Sequence, residues 1–87
     1  MAQLIKASGE VITVTLPRKD RLATMQSHVG GYIEFVYARY NGKKATLVVN
    51  EEGLLIGLRP NALASLVAGR LLVGDVLLLT AREAAQC

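Results

Sequence analysis

The sequence predicts an α+β domain with a mainly antiparallel sheet of about five strands and two short helices, in the order ββαββ(β)αβ. Asn41-Gly42, the pair favoured in type I′ turns, separates two strand-like segments and predicts a hairpin. Two segments with helical periodicity each end at a glycine, Gly30 and Gly69. The continuous apolar run over residues 76–80 predicts a central strand that is covered on both faces.

The first predicted elements are two short strands separated by a Ser-Gly pair. They cover residues 3–7 and 10–16. Residues 11–15 are all β-branched, which suits a pleated sheet. Pro17 ends the second strand, because proline has no N–H group to donate to a neighbouring strand.

A helix is predicted over residues 21–29, with Asp20 as its N-cap. Leu22, Met25 and Val29 recur at helical spacing, so we expect them to face the core. The glycine that follows them suits the left-handed conformation in which many helices end.

The next two strands are predicted over residues 31–40 and 43–50, with a two-residue turn between them. That turn fixes which residues face each other across the hairpin. The expected facing pairs are Ile33–Asn50, Glu34–Val49, Phe35–Val48, Val36–Leu47 and Ala38–Ala45. Both faces of the hairpin carry apolar side chains, so we expect both to be at least partly covered.

The second half of the chain predicts a short strand over residues 54–56 and a helix over 62–68. Asn61 is a suitable N-cap for this helix. The side chains expected to point inward from the helix are Leu63, Leu66 and Val67. We assign residues 1–81 to a single domain and residues 82–87 to a loose polar tail.

The composition predicts a homo-oligomer with a bias towards anionic partners. Apolar residues make up 52% of the 87 residues and the mean hydropathy is +0.35, which is high for so small a domain. Ten Lys and Arg residues against seven Asp and Glu give a net charge of +3.

Several classes of function find no support in the sequence. One histidine, His28, and one cysteine, Cys87, have no metal-ligand spacing. No serine lies in a G-x-S-x-G nucleophile motif, and the sequence has no second histidine to act as a base. We therefore expect no enzyme, no metal and no cofactor. The single cysteine fits a reducing cytoplasm, and neither a membrane span nor a signal peptide is predicted.

Two carboxylates form the one acid–base candidate. Glu34 and Glu51 are predicted to be diagonal neighbours on one face of the hairpin, close enough to bind a cation or to act as an acid and a base. The alternative is that Glu34 is a half-buried structural residue at the sheet margin. A separate candidate is an anion site in the segment that leads into the helix over residues 62–68, where Arg59 could contact an anion beside Asn61. The alternative is that Asn61 serves only as the N-cap of this helix.

Four segments carry a resemblance to a known family. They are residues 29–34 (VGGYIE), residues 50–53 (NEEG), Gly57-Leu58 with Asn61, and Gly74-Asp75 before an apolar strand. Over about residues 3–81 the chain resembles a family of small phage and mobile-element domains of unknown function. The resemblance implies this fold and a phage, prophage or plasmid setting, and the family has no agreed activity. By analogy with other small accessory proteins of such genomes, the protein is expected to counter host defence, either by blocking a host protein or by sequestering a nucleotide signal.

Two functions follow as hypotheses. The first is a non-catalytic protein that binds a small anionic ligand or a host protein, with a site formed by Tyr32, Glu34, Asn50, Glu51, Arg59 and Asn61. The alternative is a nucleic-acid-binding regulator that uses Arg18, Lys19, Arg21, Lys43 and Lys44.

Overall fold

The computed structural model describes residues 2–85 and contains a five-stranded antiparallel sheet with three short helices. The predicted α+β fold is confirmed. The strand order across the sheet is β2-β1-β5-β4-β3. The elements are β1 (Ala2–Ile5), β2 (Val11–Val14), α1 (Arg21–Val29), β3 (Ile33–Tyr40), β4 (Lys43–Asn50), α2 (Ala62–Ala68), β5 (Val76–Thr80) and α3 (Ala81–Ala84). The first two strands and β3 are shorter than predicted.

Helices cover both faces of the sheet. On one face α2 packs through Ala64 against a cluster that includes Leu47 and Val76. On the other face α1 packs through Met25 against a cluster that includes Leu77, and α3 lies against the same cluster. Strand β5 is the middle strand and contributes to both clusters, so its prediction as a central strand covered on both faces is confirmed.

The predicted hairpin is confirmed in turn and in register. Asn41 and Gly42 both have positive φ, 53° and 76°, as a type I′ turn requires. All five predicted facing pairs occur between β3 and β4.

Helix α1 has the predicted bounds, but its start and its buried face differ from the prediction. Asp20 has a left-handed φ of 56° and its side chain makes no capping hydrogen bond, whereas an N-cap residue normally has extended backbone. The buried positions are Arg21, Met25 and Val29, spaced four apart, so Leu22 lies off this face and is exposed.

Helix α2 also has the predicted bounds, and Asn61 caps it as predicted. Its inward face is formed by small residues, with Ala64 fully buried and Val67 partly buried. Leu63 and Leu66 are exposed, which corrects their predicted inward orientation. The alanine face lets the helix backbone approach the sheet closely.

Residues 54–56 form no strand, which corrects the prediction for this segment. Residues 51–57 form consecutive turns instead, in which the amide of Ile56 donates to Glu52 O at 3.0 Å and the amide of Leu58 donates to Gly53 O at 3.0 Å. Three apolar residues in a row do not distinguish a strand from a turn, and here local hydrogen bonds favour the turn.

Gly53 holds this turn against the body of the domain, so we expect Gly53→Ala to destabilise the fold by about 1–3 kcal/mol. A Cβ at this position would lie 2.8 Å from Cγ2 of Val73. Val73 is buried and its β-branched side chain has little rotamer freedom. Urea denaturation of Gly53→Ala, Val73→Ala and the double variant measures the effect. The clash is absent in the double variant, so additive losses would contradict this account.

Residues 82–84, which we predict to belong to a loose tail, lie in helix α3. Thr80 caps α3 by accepting a hydrogen bond from the Glu83 amide at 3.2 Å. The Glu83 carboxylate accepts a hydrogen bond from the Arg21 guanidinium at 2.5 Å, which fixes α3 beside α1. The rest of the predicted tail, residues 86–87, lies outside the described residues. Within residues 2–85, no helix has the length and apolar character needed to cross a membrane.

Candidate functional site

Asn61, a predicted ligand-binding residue, is engaged within the fold. It is 1% exposed. Its Nδ2 donates to Ile5 O at 2.8 Å and to Gly74 O at 2.9 Å, and its Oδ1 accepts from the Ala64 amide at 3.1 Å. These bonds use both amide hydrogens and the oxygen, so Asn61 joins three segments of the fold and its role as a helix cap is the one the structure supports.

Asn50 is also engaged within the fold. The side chain is buried, with Nδ2 donating to Val29 O at 3.1 Å and Oδ1 accepting from the Glu52 amide at 2.8 Å. Gly31 lies directly against it, because a Cβ there would be 2.9 Å from Nδ2. Asn50 therefore joins the end of α1 to the turn that follows β4.

The remaining predicted ligand-binding residues are exposed but do not form one site. Glu34 and Glu51 line the same groove beside Arg70, so their predicted proximity is confirmed. Tyr32 lines another cleft with Gln26. Arg59, the last of these exposed residues, lies in the connection before α2.

A second groove, with a volume of about 930 Å³, crosses the end of the sheet where the β3–β4 hairpin turns. We call it the basic groove. Its polar and charged lining residues are Gln3, Thr13, Arg39, Tyr40, Asn41, Lys43, Lys44, Thr80 and Arg82. Apolar lining comes from the strands, and includes Leu78 of β5 and Ala45 of β4.

The register of the sheet explains how the cations of the basic groove are arranged. Lys43 faces Tyr40 across the hairpin and shares a sheet face with Ala45, the α2 side. Lys44 and its cross-strand partner Arg39 point to the opposite side, where α3 lies. The fourth cation, Arg82, belongs to α3 itself. The four cations of the basic groove therefore surround the end of the sheet on both faces.

The charge of the basic groove is uncompensated among the residues that the structure describes. Its described lining contains four cations and neither Asp nor Glu. The ion pairs described within residues 2–85 are Lys6–Glu10 and Arg21–Glu83, and neither involves a groove cation. Arg39 and Lys44 are directly opposite, an arrangement of like charges that destabilises a hairpin. Such a cost is typical of a position selected for binding.

The residues proposed for nucleic-acid binding separate into three groups. Lys43 and Lys44 belong to the basic groove. Arg18 and Lys19 are exposed in the segment before α1. Arg21 is 8% exposed and its guanidinium donates to Glu83, which corrects its assignment to a nucleic-acid surface.

The sequence prediction missed two of the four groove cations, Arg39 and Arg82. The first was detectable, since the predicted register already places it opposite Lys44. The second was assigned to a loose tail, and only the helical structure of residues 81–84 brings it to the groove. Within residues 2–85, no cluster of three His, Cys, Asp or Glu residues could hold a metal ion.

Comparisons with known proteins place the chain in a family and give no activity. No curated protein and no solved structure matches it. A family model described as a domain of unknown function, DUF3846, matches residues 1–86. Since that match covers nearly the whole chain, the protein belongs to the DUF3846 family of domains of unknown function.

Proposed function

We propose that the protein is a non-catalytic binding protein that holds a small phosphate-bearing ligand in the basic groove. The observation that carries this proposal is the facing pair of like charges, Arg39 and Lys44, beside Lys43 and Arg82 with no carboxylate in the described lining. An anion between these side chains would replace a repulsion with charge-assisted hydrogen bonds.

The size and chemistry of the groove favour a ligand of nucleotide size. Pockets for small molecules have volumes of roughly 300–1,000 Å³, and this groove measures about 930 Å³. The arginine and lysine side chains suit phosphate oxygens. Tyr40, which is exposed, offers apolar contact area for a base, and the hydroxyls of Thr13 and Thr80 offer hydrogen bonds to a sugar.

Binding without turnover is proposed because of the residue types that line the groove. Its described lining contains cations, hydroxyls and amides, and holds no carboxylate or imidazole to act as a general base. Sequestration of a nucleotide signal needs only such binding. A phage or mobile-element protein that counters host defence in this way therefore remains part of the proposal. The positive charge of the groove favours this ligand over a host protein.

Calorimetric titration tests the proposal with inorganic phosphate, mono- and triphosphate nucleotides and a cyclic dinucleotide. We expect at least one nucleotide to bind, and the double variant Arg39→Ala/Lys44→Ala to bind it at least tenfold more weakly, since a hydrogen bond to a charged group contributes about 1.5–3 kcal/mol. The control Arg18→Ala/Lys19→Ala removes the same charge outside the groove and should bind as the wild type does.

A further variant, Lys44→Gln, gives a second readout without any ligand. Lys44→Gln removes the repulsion with Arg39, so we expect it to leave the ligand-free protein as stable as the wild type or slightly more stable, by up to about 1 kcal/mol. Absence of binding across the whole ligand panel, or equal loss of affinity in the control variant, would contradict the proposal.

A nucleic-acid-binding regulator is the second candidate, and Tyr40 beside the groove cations is the observation that favours it. Single-stranded nucleic acids bind to positively charged grooves that also carry aromatic side chains. Oligonucleotides of increasing length separate the two candidates. Affinity that rises with length and falls steeply with salt would favour nucleic acid, whereas length-independent affinity would favour the small ligand.

A further inference from the structure

Three exposed leucines lie together on a surface that is separate from the basic groove. Leu54, Leu55 and Leu71 are 70%, 85% and 58% exposed, and all three line the groove that also holds Glu34, Glu51 and Arg70. We call the three leucines the leucine patch. Large aliphatic side chains grouped at this exposure are typical of a surface that another molecule covers.

Hydrogen bonds and packing hold the backbone turn that carries two leucines of the leucine patch. The turn that carries Leu54 and Leu55 is closed by backbone hydrogen bonds, including that from the Gly53 amide to Asn50 O at 3.1 Å. Gly53 itself is buried against Val73, which lies two residues beyond Leu71. A backbone that is already ordered loses little conformational entropy when the surface binds.

The charges around the leucine patch have both signs and are not paired with each other. Glu34 and Glu51 lie on the hairpin side and Arg70 lies beside Leu71. None of the three takes part in the ion pairs described within residues 2–85, Lys6–Glu10 and Arg21–Glu83. The groove therefore combines exposed aliphatic groups with charges of both signs.

We propose that the leucine patch is the interface of a two-fold symmetric homodimer. In this dimer the leucines of two copies pack together, and Arg70 of each copy lies against the carboxylates of Glu34 and Glu51 of the other. A two-fold interface uses the same patch twice, so the patch must be complementary to itself. A patch that carries acidic, basic and apolar groups together offers each of them a complementary group on a second copy, and the apolar content of 52% fits a surface buried in a dimer.

Sedimentation velocity over a range of protein concentrations tests the apolar part of the interface. We expect the wild type to be a dimer and Leu55→Asp to dimerise at least roughly tenfold more weakly. The fold should not change, because this side chain is 85% exposed in the single chain. Leu66→Asp is the matched control, since Leu66 is 80% exposed on α2 and does not line this groove.

A charge-exchange experiment tests the symmetry of the interface. Arg70→Glu alone, or the double variant Glu34→Lys/Glu51→Lys alone, places like charges together at both symmetric contacts, so we expect each to be monomeric. Mixing the two proteins places opposite charges at both contacts and should restore a dimer that contains one copy of each, which native mass spectrometry identifies. A monomeric wild type, equal loss in Leu66→Asp, or no recovery on mixing would overturn the proposal.

Discussion

Replacing Asn61 with alanine is expected to lower the free energy of unfolding by about 3 kcal/mol, because buried groups lose hydrogen bonds and α2 loses its cap. The variant removes the donor to Ile5 O and Gly74 O and the acceptor for the Ala64 amide. For a domain of this size the loss corresponds to a fall in Tm of roughly 12–24 °C.

Urea denaturation and thermal unfolding measure this effect, and Asn61→Ser separates its two causes. Serine retains an oxygen that can cap α2 but has no amide donor for the two carbonyl groups. We expect Asn61→Ser to lie between the wild type and Asn61→Ala. A loss below about 1 kcal/mol in Asn61→Ala would show that water or a rearranged backbone satisfies these groups.

Replacing Arg21 with alanine is the second change with a large expected effect. We expect the free energy of unfolding to fall by about 2–3 kcal/mol, because the variant removes a charge-assisted hydrogen bond to a largely buried carboxylate and two hydrogen bonds to backbone carbonyl groups. The guanidinium donates to Glu83 Oε2 at 2.5 Å, to Glu83 O at 3.1 Å and to Leu16 O at 3.3 Å. The two charged side chains are 9% and 16% exposed. One residue thus connects α1, α3 and the segment after β2.

The pair Lys6–Glu10 is the matched control for Arg21. Lys6 Nζ and Glu10 Oε1 are 3.8 Å apart, and the two side chains are 38% and 61% exposed. We therefore expect Lys6→Ala to change the free energy of unfolding by less than about 0.5 kcal/mol. Chemical denaturation of both variants at low and high salt compares the two pairs. If Arg21→Ala lowers the free energy of unfolding by no more than Lys6→Ala does, burial does not strengthen the Arg21–Glu83 interaction.

The sequence predicted the parts of the fold that depend on local chemistry. Asn41-Gly42 fixed the hairpin and its register, because few dipeptides adopt two positive φ angles. Gly30 and Gly69 ended the two longer helices for the same conformational reason, and Asn61 began α2. Each of these signals acts within a few residues of the position it determines.

Errors arose where distant segments decide the outcome. Leucines were assigned to the inner face of α2, but the sheet accepts Ala64 there, and hydrophobicity alone does not reveal how closely a helix approaches. The pairing of Arg21 with Glu83, which draws an arginine inward and orders α3, joins residues 62 positions apart. Composition and periodicity contain no information about such a contact.

The candidate site was predicted incompletely for a related reason. Asn50 and Asn61 stood out as polar residues within motifs, yet their polarity serves backbone groups in the interior. The cations of the basic groove come from β3, β4 and α3, and the strand order brings them together. Of the four cations of the basic groove, the sequence predicts a binding role only for Lys43 and Lys44, which are adjacent in the chain.

The position of β5 has an effect on how the chain folds as it leaves the ribosome. Of the five strands of the sheet, β5 comes last in the sequence, yet it lies between β1 and β4, and Gln3 pairs with the distant Leu78. Until residues 76–80 emerge, the two hairpins have no strand between them and each exposes an edge that can pair with another nascent chain. Such long-range closure is slow compared with hairpin formation. Sheet closure that waits for β5, with aggregation as the competing reaction, is therefore expected to limit the yield of this protein at high rates of synthesis.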